Sequence, residues 1–131
     1  MEKKIKISIL WMVVMCGLTC HSLADLMPLF WSEPIAISDS GAAPAGLLTF
    51  MITVTYLIPV CGILCTLYGS KHYLSIANAI LATLMFLFNL FHTSELFTGF
   101  SMVQMPLLPV ILIVSGILCV QSWKRLKIYS E

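Results

Sequence analysis

The stretch "GLLTFMITVTYLIPVCGILCTLY", residues 46–68, contains no charged side chain. About 20 apolar residues in a helix span the roughly 30 Å hydrocarbon core of a bilayer. The whole chain is 60% hydrophobic and only 10% charged, whereas a soluble domain is about a quarter charged. The sequence therefore predicts an all-α, polytopic membrane four-helix bundle that forms a single domain over residues 1–131, with helices at 6–29, 46–68, 73–97 and 105–123.

The basic residues predict the orientation of these helices. They fall at the two ends of the chain and in the connection between the second and third helices (Lys3, Lys4, Lys6, Lys71, Lys124, Arg125 and Lys127). Cytoplasmic loops are enriched in Lys and Arg, so both termini and that connection are predicted to be cytoplasmic. This pattern requires an even number of crossings and predicts a multi-pass inner-membrane protein.

The N-terminal segment has some features of a secretory signal peptide, with a basic start, an apolar stretch and small residues at Ser22 and Ala24. The apolar run "LMPLFW", residues 26–31, continues beyond the point where cleavage would occur. We therefore predict that the segment is retained as the first transmembrane helix.

A weak internal repeat links the two halves of the chain. The run "CGILCTLYGSK" at 61–71 resembles "SGILCVQSWKR" at 115–125, and "CHSLADL" at 20–26 resembles "FHTSELF" at 91–97. The unit is a two-helix hairpin, and two such units in the same orientation are related by an axis along the membrane normal. The repeat would place His21 opposite His92.

Ionisable and amide side chains interrupt the first and third apolar runs near their outer ends. Such groups are costly in lipid and usually face the interior of a bundle or a water-filled cavity. His21 and Asp25 are four residues apart and share a helix face, and the third helix carries Asn89, His92 and Glu95 on a broader polar surface. The two histidines and the two carboxylates lie in the predicted outer third of the bilayer, so we predict that they form one ligand-binding pocket together with Asn89.

This cluster is compatible with several kinds of chemistry. Two imidazoles and two carboxylates (His21, Asp25, His92 and Glu95) could hold zinc or another divalent metal. The same groups could relay protons or bind a polar or cationic ligand. A haem between the two histidines is disfavoured by the acidic neighbours. The alternative without a ligand is that the groups hydrogen-bond locally and hold the helices together.

Other residues carry weaker signals. Five cysteines (Cys16, Cys20, Cys61, Cys65 and Cys119) are expected to behave as small, buried, apolar side chains, with soft-metal binding by Cys16, Cys61, Met12 and Met15 as the alternative. Gly17 and Gly62 are expected to let helices approach closely. We find no catalytic Ser/His/Asp pattern, no phosphate-binding glycine loop and no nucleic-acid-binding surface.

The first 85 or so residues carry a recognisable combination of positions, with Leu10, Trp11 and Met15 in the first helix and Asp25 near its end. Ile58 and Pro59 follow in the second helix, and Asn78 in the third. This combination resembles a family of small, uncharacterised bacterial four-helix integral membrane proteins. The chain departs from the family pattern at His21. The resemblance implies the topology and brings no activity with it.

The sequence thus predicts a small integral membrane protein whose outer-facing pocket binds or transports a small ligand or ion. The alternative is a structural or accessory subunit of a larger membrane complex with no site of its own. An enzyme that uses the histidines is the third hypothesis. The predicted partners are the lipid bilayer and either a second copy or a larger complex, because four short helices leave little room for a transport pathway.

Overall fold

The computed structural model describes residues 2–27, 44–97 and 104–128, and these form only helices and turns. Four helical spans within them are long and apolar enough to cross a membrane, which confirms the predicted all-α four-helix bundle. The elements are α1 (Glu2–Leu26), α2 (Ala45–Ile52), a π-helical turn (Thr53–Leu57), α3 (Ile58–Leu67), α4 (His72–Ser94), a 3₁₀ turn (Glu95–Phe97) and α5 (Leu107–Ile128).

The helix bounds differ from the predicted ones mainly at the basic ends. α1 begins at Glu2 rather than residue 6, and α5 continues to Ile128 rather than ending at Trp123. Lysine and arginine are good helix formers, and their long apolar stems lie along a bundle surface while the charge reaches water. Hydropathy marks where the apolar run ends, whereas the helix itself continues past that point.

The second span consists of α2, the π-helical turn and α3 in continuous succession. Pro59 lacks an N–H, and its ring would clash with the carbonyl of Thr55 in a regular α-helix. The widened turn Thr53–Leu57 lies just before Pro59 and accommodates that ring. No residue of α2 is buried, whereas α3 buries Pro59, Gly62 and Thr66.

The centre of the bundle contains a polar network with one side chain from each span. Trp11 Nε1 of α1 donates to Asn78 Oδ1 of α4 over 2.9 Å, and the Thr66 hydroxyl of α3 donates to the same oxygen over 3.0 Å. Asn78 Nδ2 donates to Ser122 Oγ of α5 over 2.9 Å. All four are at most 1% exposed, so we name Trp11, Thr66, Asn78 and Ser122 the central polar network.

Two glycines lie where neighbouring helices come closest. A Cβ on Gly62 would overlap the indole of Trp11, and a Cβ on Gly17 would lie 2.7 Å from Ile111 Cγ1. Helix contacts within membranes depend on small residues that let backbones approach. The predicted role of both glycines in close packing is therefore confirmed.

Basic side chains bind the carboxyl end of α3. Arg125 is only 5% exposed, and its two terminal nitrogens donate to the carbonyls of Thr66 and Gly69 over 3.1 and 2.9 Å. Lys4 Nζ donates to the carbonyl of Leu67 over 3.3 Å. Cations are favourable at a helix C-terminus, where backbone carbonyls lack helical partners. These contacts bring the start of α1 and the ends of α3 and α5 together, and we name this the basic end.

The cysteines are not uniformly buried. Cys16 and Cys20 are exposed on α1, and Cys61, Cys65 and Cys119 are half-buried; all five are free thiols. The expectation of buried cysteines is therefore wrong for the two in α1. The C-x-x-x-C spacing puts both side chains on one face of the helix, but that face points away from the bundle, whose interior Trp11, Val14 and Leu18 fill instead.

Candidate functional site at the histidine end

The two predicted histidines meet at the end of the bundle opposite the basic end. His21 of α1 is 6% exposed and His92 of α4 is half-buried, and their Nε2 atoms lie 2.6 Å apart. The rings are edge to face, with centroids 4.6 Å apart and an interplanar angle of 77°. We name the two side chains the imidazole pair, and this end of the bundle the histidine end.

A carboxylate lies beside the imidazole pair. Asp25 is one turn beyond His21 on α1, and its Oδ2 lies 3.6 Å from His21 Nε2. The Asp25 side chain is about half exposed (48%). Gln104, just before α5, donates from its side-chain amide to Asp25 Oδ1. This bond orients the carboxylate and joins the start of α5 to the site.

Aromatic rings cover the other face of His92. Phe88, one turn earlier on α4, stacks against His92 at 5.7 Å between centroids and 22° between planes. Phe50 of α2 meets Phe88 edge to face at 6.2 Å. The imidazole pair therefore has an apolar wall on one side and the exposed carboxylate on the other.

Asn89 and Glu95 are the two remaining predicted site residues, and the structure describes the side chain of Asn89 alone. Asn89 is buried at 2% exposure on α4, three residues before His92, and its Nδ2 has no hydrogen-bond partner among the described residues. Residues three apart on a helix are surface neighbours, so Asn89 lies next to His92 along α4. The backbone of Glu95 begins the 3₁₀ turn that follows α4, and its side chain lies outside the described part of the structure.

The geometry of the imidazole pair restricts its protonation. A neutral imidazole has one donor nitrogen and one acceptor nitrogen, and an imidazolium has two donors. At 2.6 Å, one Nε2 must donate and the other must accept. The pair can thus hold a single proton between its rings, whereas protonating both rings would set two N–H groups against each other. Asp25 is placed to stabilise one added positive charge.

The same distance is too short for a metal ion between the two rings. Zinc binds histidine nitrogen at about 2.0–2.1 Å with tetrahedral angles, so two ligating Nε2 atoms would lie about 3.3 Å apart. No group of three or more His, Cys, Asp or Glu side chains that could hold a metal exists in the parts of the chain that the structure describes. Since the Glu95 side chain is outside those parts, the four-residue metal set stays a prediction.

Sequence reasoning missed Gln104 and Phe88 at this site. Gln104 was visible as an amide in the otherwise weakly polar connection 98–106, although nothing local indicated that it would reach Asp25. Phe88 precedes His92 by four residues, a spacing that puts both on one helix face. That spacing could have identified Phe88.

No protein-family model, curated protein or solved structure matches this chain. The fold and the histidine end are therefore interpreted from the chain's own residues. The four apolar spans define a multi-pass membrane protein built as a four-helix bundle.

Proposed function

We propose that this protein binds a small ligand or ion at the histidine end, through His21, Asp25, Asn89, His92 and Glu95. The ion that the geometry fits best is a proton. The observation that carries the proposal is the Nε2–Nε2 distance of 2.6 Å in the imidazole pair. The N–H of one ring donates to the other ring, so the pair holds one proton between its rings, beside the Asp25 carboxylate.

The packing of the bundle favours binding over conduction by one copy. Between the imidazole pair and the central polar network, most of the interior is filled by apolar side chains that are at most 2% exposed, among them Val14, Leu18 and Met85. The buried Ser115 in this region hydrogen-bonds to its own helix, so a charge crossing a single copy would have to pass apolar groups without a continuous polar path. A ligand therefore enters and leaves from the histidine end, and transport through a polar pathway would require a second copy or a partner subunit.

The charge distribution supports a topology for the proposal. Every lysine and arginine of the chain belongs to the segments that lead to the basic end. We place that end, with both termini, in the cytoplasm of a bacterial cell and the histidine end at the outer side of the inner membrane.

The proposal predicts one proton shared between His21 and His92. NMR of ring-¹⁵N-labelled histidine in the full-length protein, in mild detergent, should show a through-bond coupling between the two Nε2 nuclei, because the N–H of one ring donates to the other. His72 begins α4 and is exposed, so it should show no such coupling and serves as an internal reference. His92→Gln should abolish the coupling.

Control variants separate proton sharing from simple packing. His21→Phe keeps an aromatic ring without a nitrogen and should abolish the coupling. His72→Gln should leave the coupling of the pair unchanged. If the two Nε2 nuclei show no coupling in wild type, the proposal is wrong and the accessory-subunit hypothesis is favoured.

A further inference from the structure

A cavity opens at the basic end of the bundle, on the side where α1 meets α5. Its volume is about 160 Å³, and its lining residues are Lys3, Ile7, Gln121, Lys124 and Arg125. A water molecule occupies about 30 Å³ in the liquid, so the cavity has room for a tetrahedral oxyanion with bound water. It is far from the histidine end, and the proposed function does not use it.

The residues that line this cavity carry positive charge and no negative charge. Of its five lining residues, three are cationic, one is an amide and none is acidic. The nearest acidic group along α1 is Glu2, which forms an ion pair with Lys6. Lys6 is not among the lining residues, so this pair leaves the positive charge of the lining in place.

The guanidinium of Arg125 lines the cavity with a positive charge in a fixed position, which we call the Arg125 wall. Its guanidinium is held by the carbonyls of Thr66 and Gly69, so its position is set by the end of α3 rather than by solvent. Lys3 and Lys124 are exposed and come from different helices. Their ammonium groups can therefore turn toward a shared anion, and the Gln121 amide adds a neutral donor.

We infer that this cavity binds a phosphate group, held by Lys3 of α1 and Lys124 of α5 against the Arg125 wall. Basic pockets between transmembrane helices are typical sites for anionic headgroups. The phosphate can belong to an anionic phospholipid or can be inorganic phosphate from the aqueous phase. The bound group bridges the first and last helices at the basic end.

The test uses the full-length protein purified in mild neutral detergent. One arm titrates short-chain phosphatidylglycerol, with phosphatidylcholine as the zwitterionic reference whose choline cation offsets its phosphate, and the other titrates inorganic phosphate against chloride at constant ionic strength. Binding raises the midpoint of thermal unfolding with the logarithm of the ligand concentration above Kd, and native mass spectrometry counts the retained lipid. Stabilisation in the first arm alone identifies a lipid, and stabilisation by inorganic phosphate identifies a soluble anion.

Two double variants with equal charge change decide whether the cavity is the site. Lys3→Gln with Lys124→Gln removes both lining ammonium groups and should weaken binding about fivefold per lysine. Lys71→Gln with Lys127→Gln removes the same charge at the basic end but outside the lining, and should keep the wild-type affinity. Equal weakening in both double variants, or no stabilisation of wild type by either phosphate source, would overturn the inference.

Discussion

Gly62→Ala is expected to lower the free energy of unfolding by about 3 kcal/mol, the upper part of the range for overpacked cores. The added Cβ would overlap Cε2 of the Trp11 indole and lie 2.6 Å from Nε1. The indole cannot easily move aside, because it is fully buried and hydrogen-bonded to Asn78. Reversible unfolding in mixed micelles, followed by circular dichroism, measures the change.

Gly46→Ala is the matched control for this prediction. A Cβ at Gly46 would meet no atom within 4 Å, and alanine is the better helix former by about 1 kcal/mol. The control should therefore match or exceed wild type in stability. If both alanine variants have the same stability, close packing between Gly62 and Trp11 does not hold the first and second spans together.

Asn78→Leu is expected to destabilise the protein by about 2–4 kcal/mol. It removes the acceptor of Trp11 and Thr66 and the donor to Ser122. Single hydrogen bonds between transmembrane helices average about 0.6 kcal/mol and reach about 1.7, and an indole N–H left buried without an acceptor adds to that loss. The same mixed-micelle unfolding experiment measures this variant.

A double-mutant cycle with Trp11→Phe isolates the central bond. Phenylalanine has no N–H, so Asn78→Leu should cost less in the Trp11→Phe background than in wild type, by about 1 kcal/mol. Thr49→Val is a suitable control, since the Thr49 hydroxyl bonds only to the Ala45 carbonyl of its own helix on an exposed face. If the losses in unfolding free energy from Trp11→Phe and Asn78→Leu are additive, Asn78 contributes to stability through its shape and not through its bond to Trp11.

The architecture was predictable because it depends on local properties. The number and approximate bounds of the spans follow from apolar runs that are long enough to cross a bilayer. The meeting of His21 and His92 was also predicted, because residue counts along the helices put both at similar heights. The detailed contact at 2.6 Å, and its consequence that one proton is shared, required coordinates.

The central polar network was not predicted, although each member is visible in the sequence. Asn78 was recognised as a third-helix position of the family resemblance, but its partners come from the other three spans. α5 carries apolar residues on every face of the helix, so the sequence does not indicate that Ser122 faces inward. Which residues share a depth depends on how the spans shift and rotate against one another, and no local pattern encodes that.

The π-helical turn divides the second span into halves with unequal roles. α3 is fixed to the rest of the bundle through Thr66 and Gly62, while α2 buries none of its residues. Opening free energies within a protein follow the local amount of buried contact, so α2 is the part of the span that separates from its neighbours most readily. Phe50 of α2 rests on Phe88, which covers His92. Outward movement of this half-helix would take Phe50 away from Phe88 and leave the aromatic cover of His92 one ring thick on the lipid side.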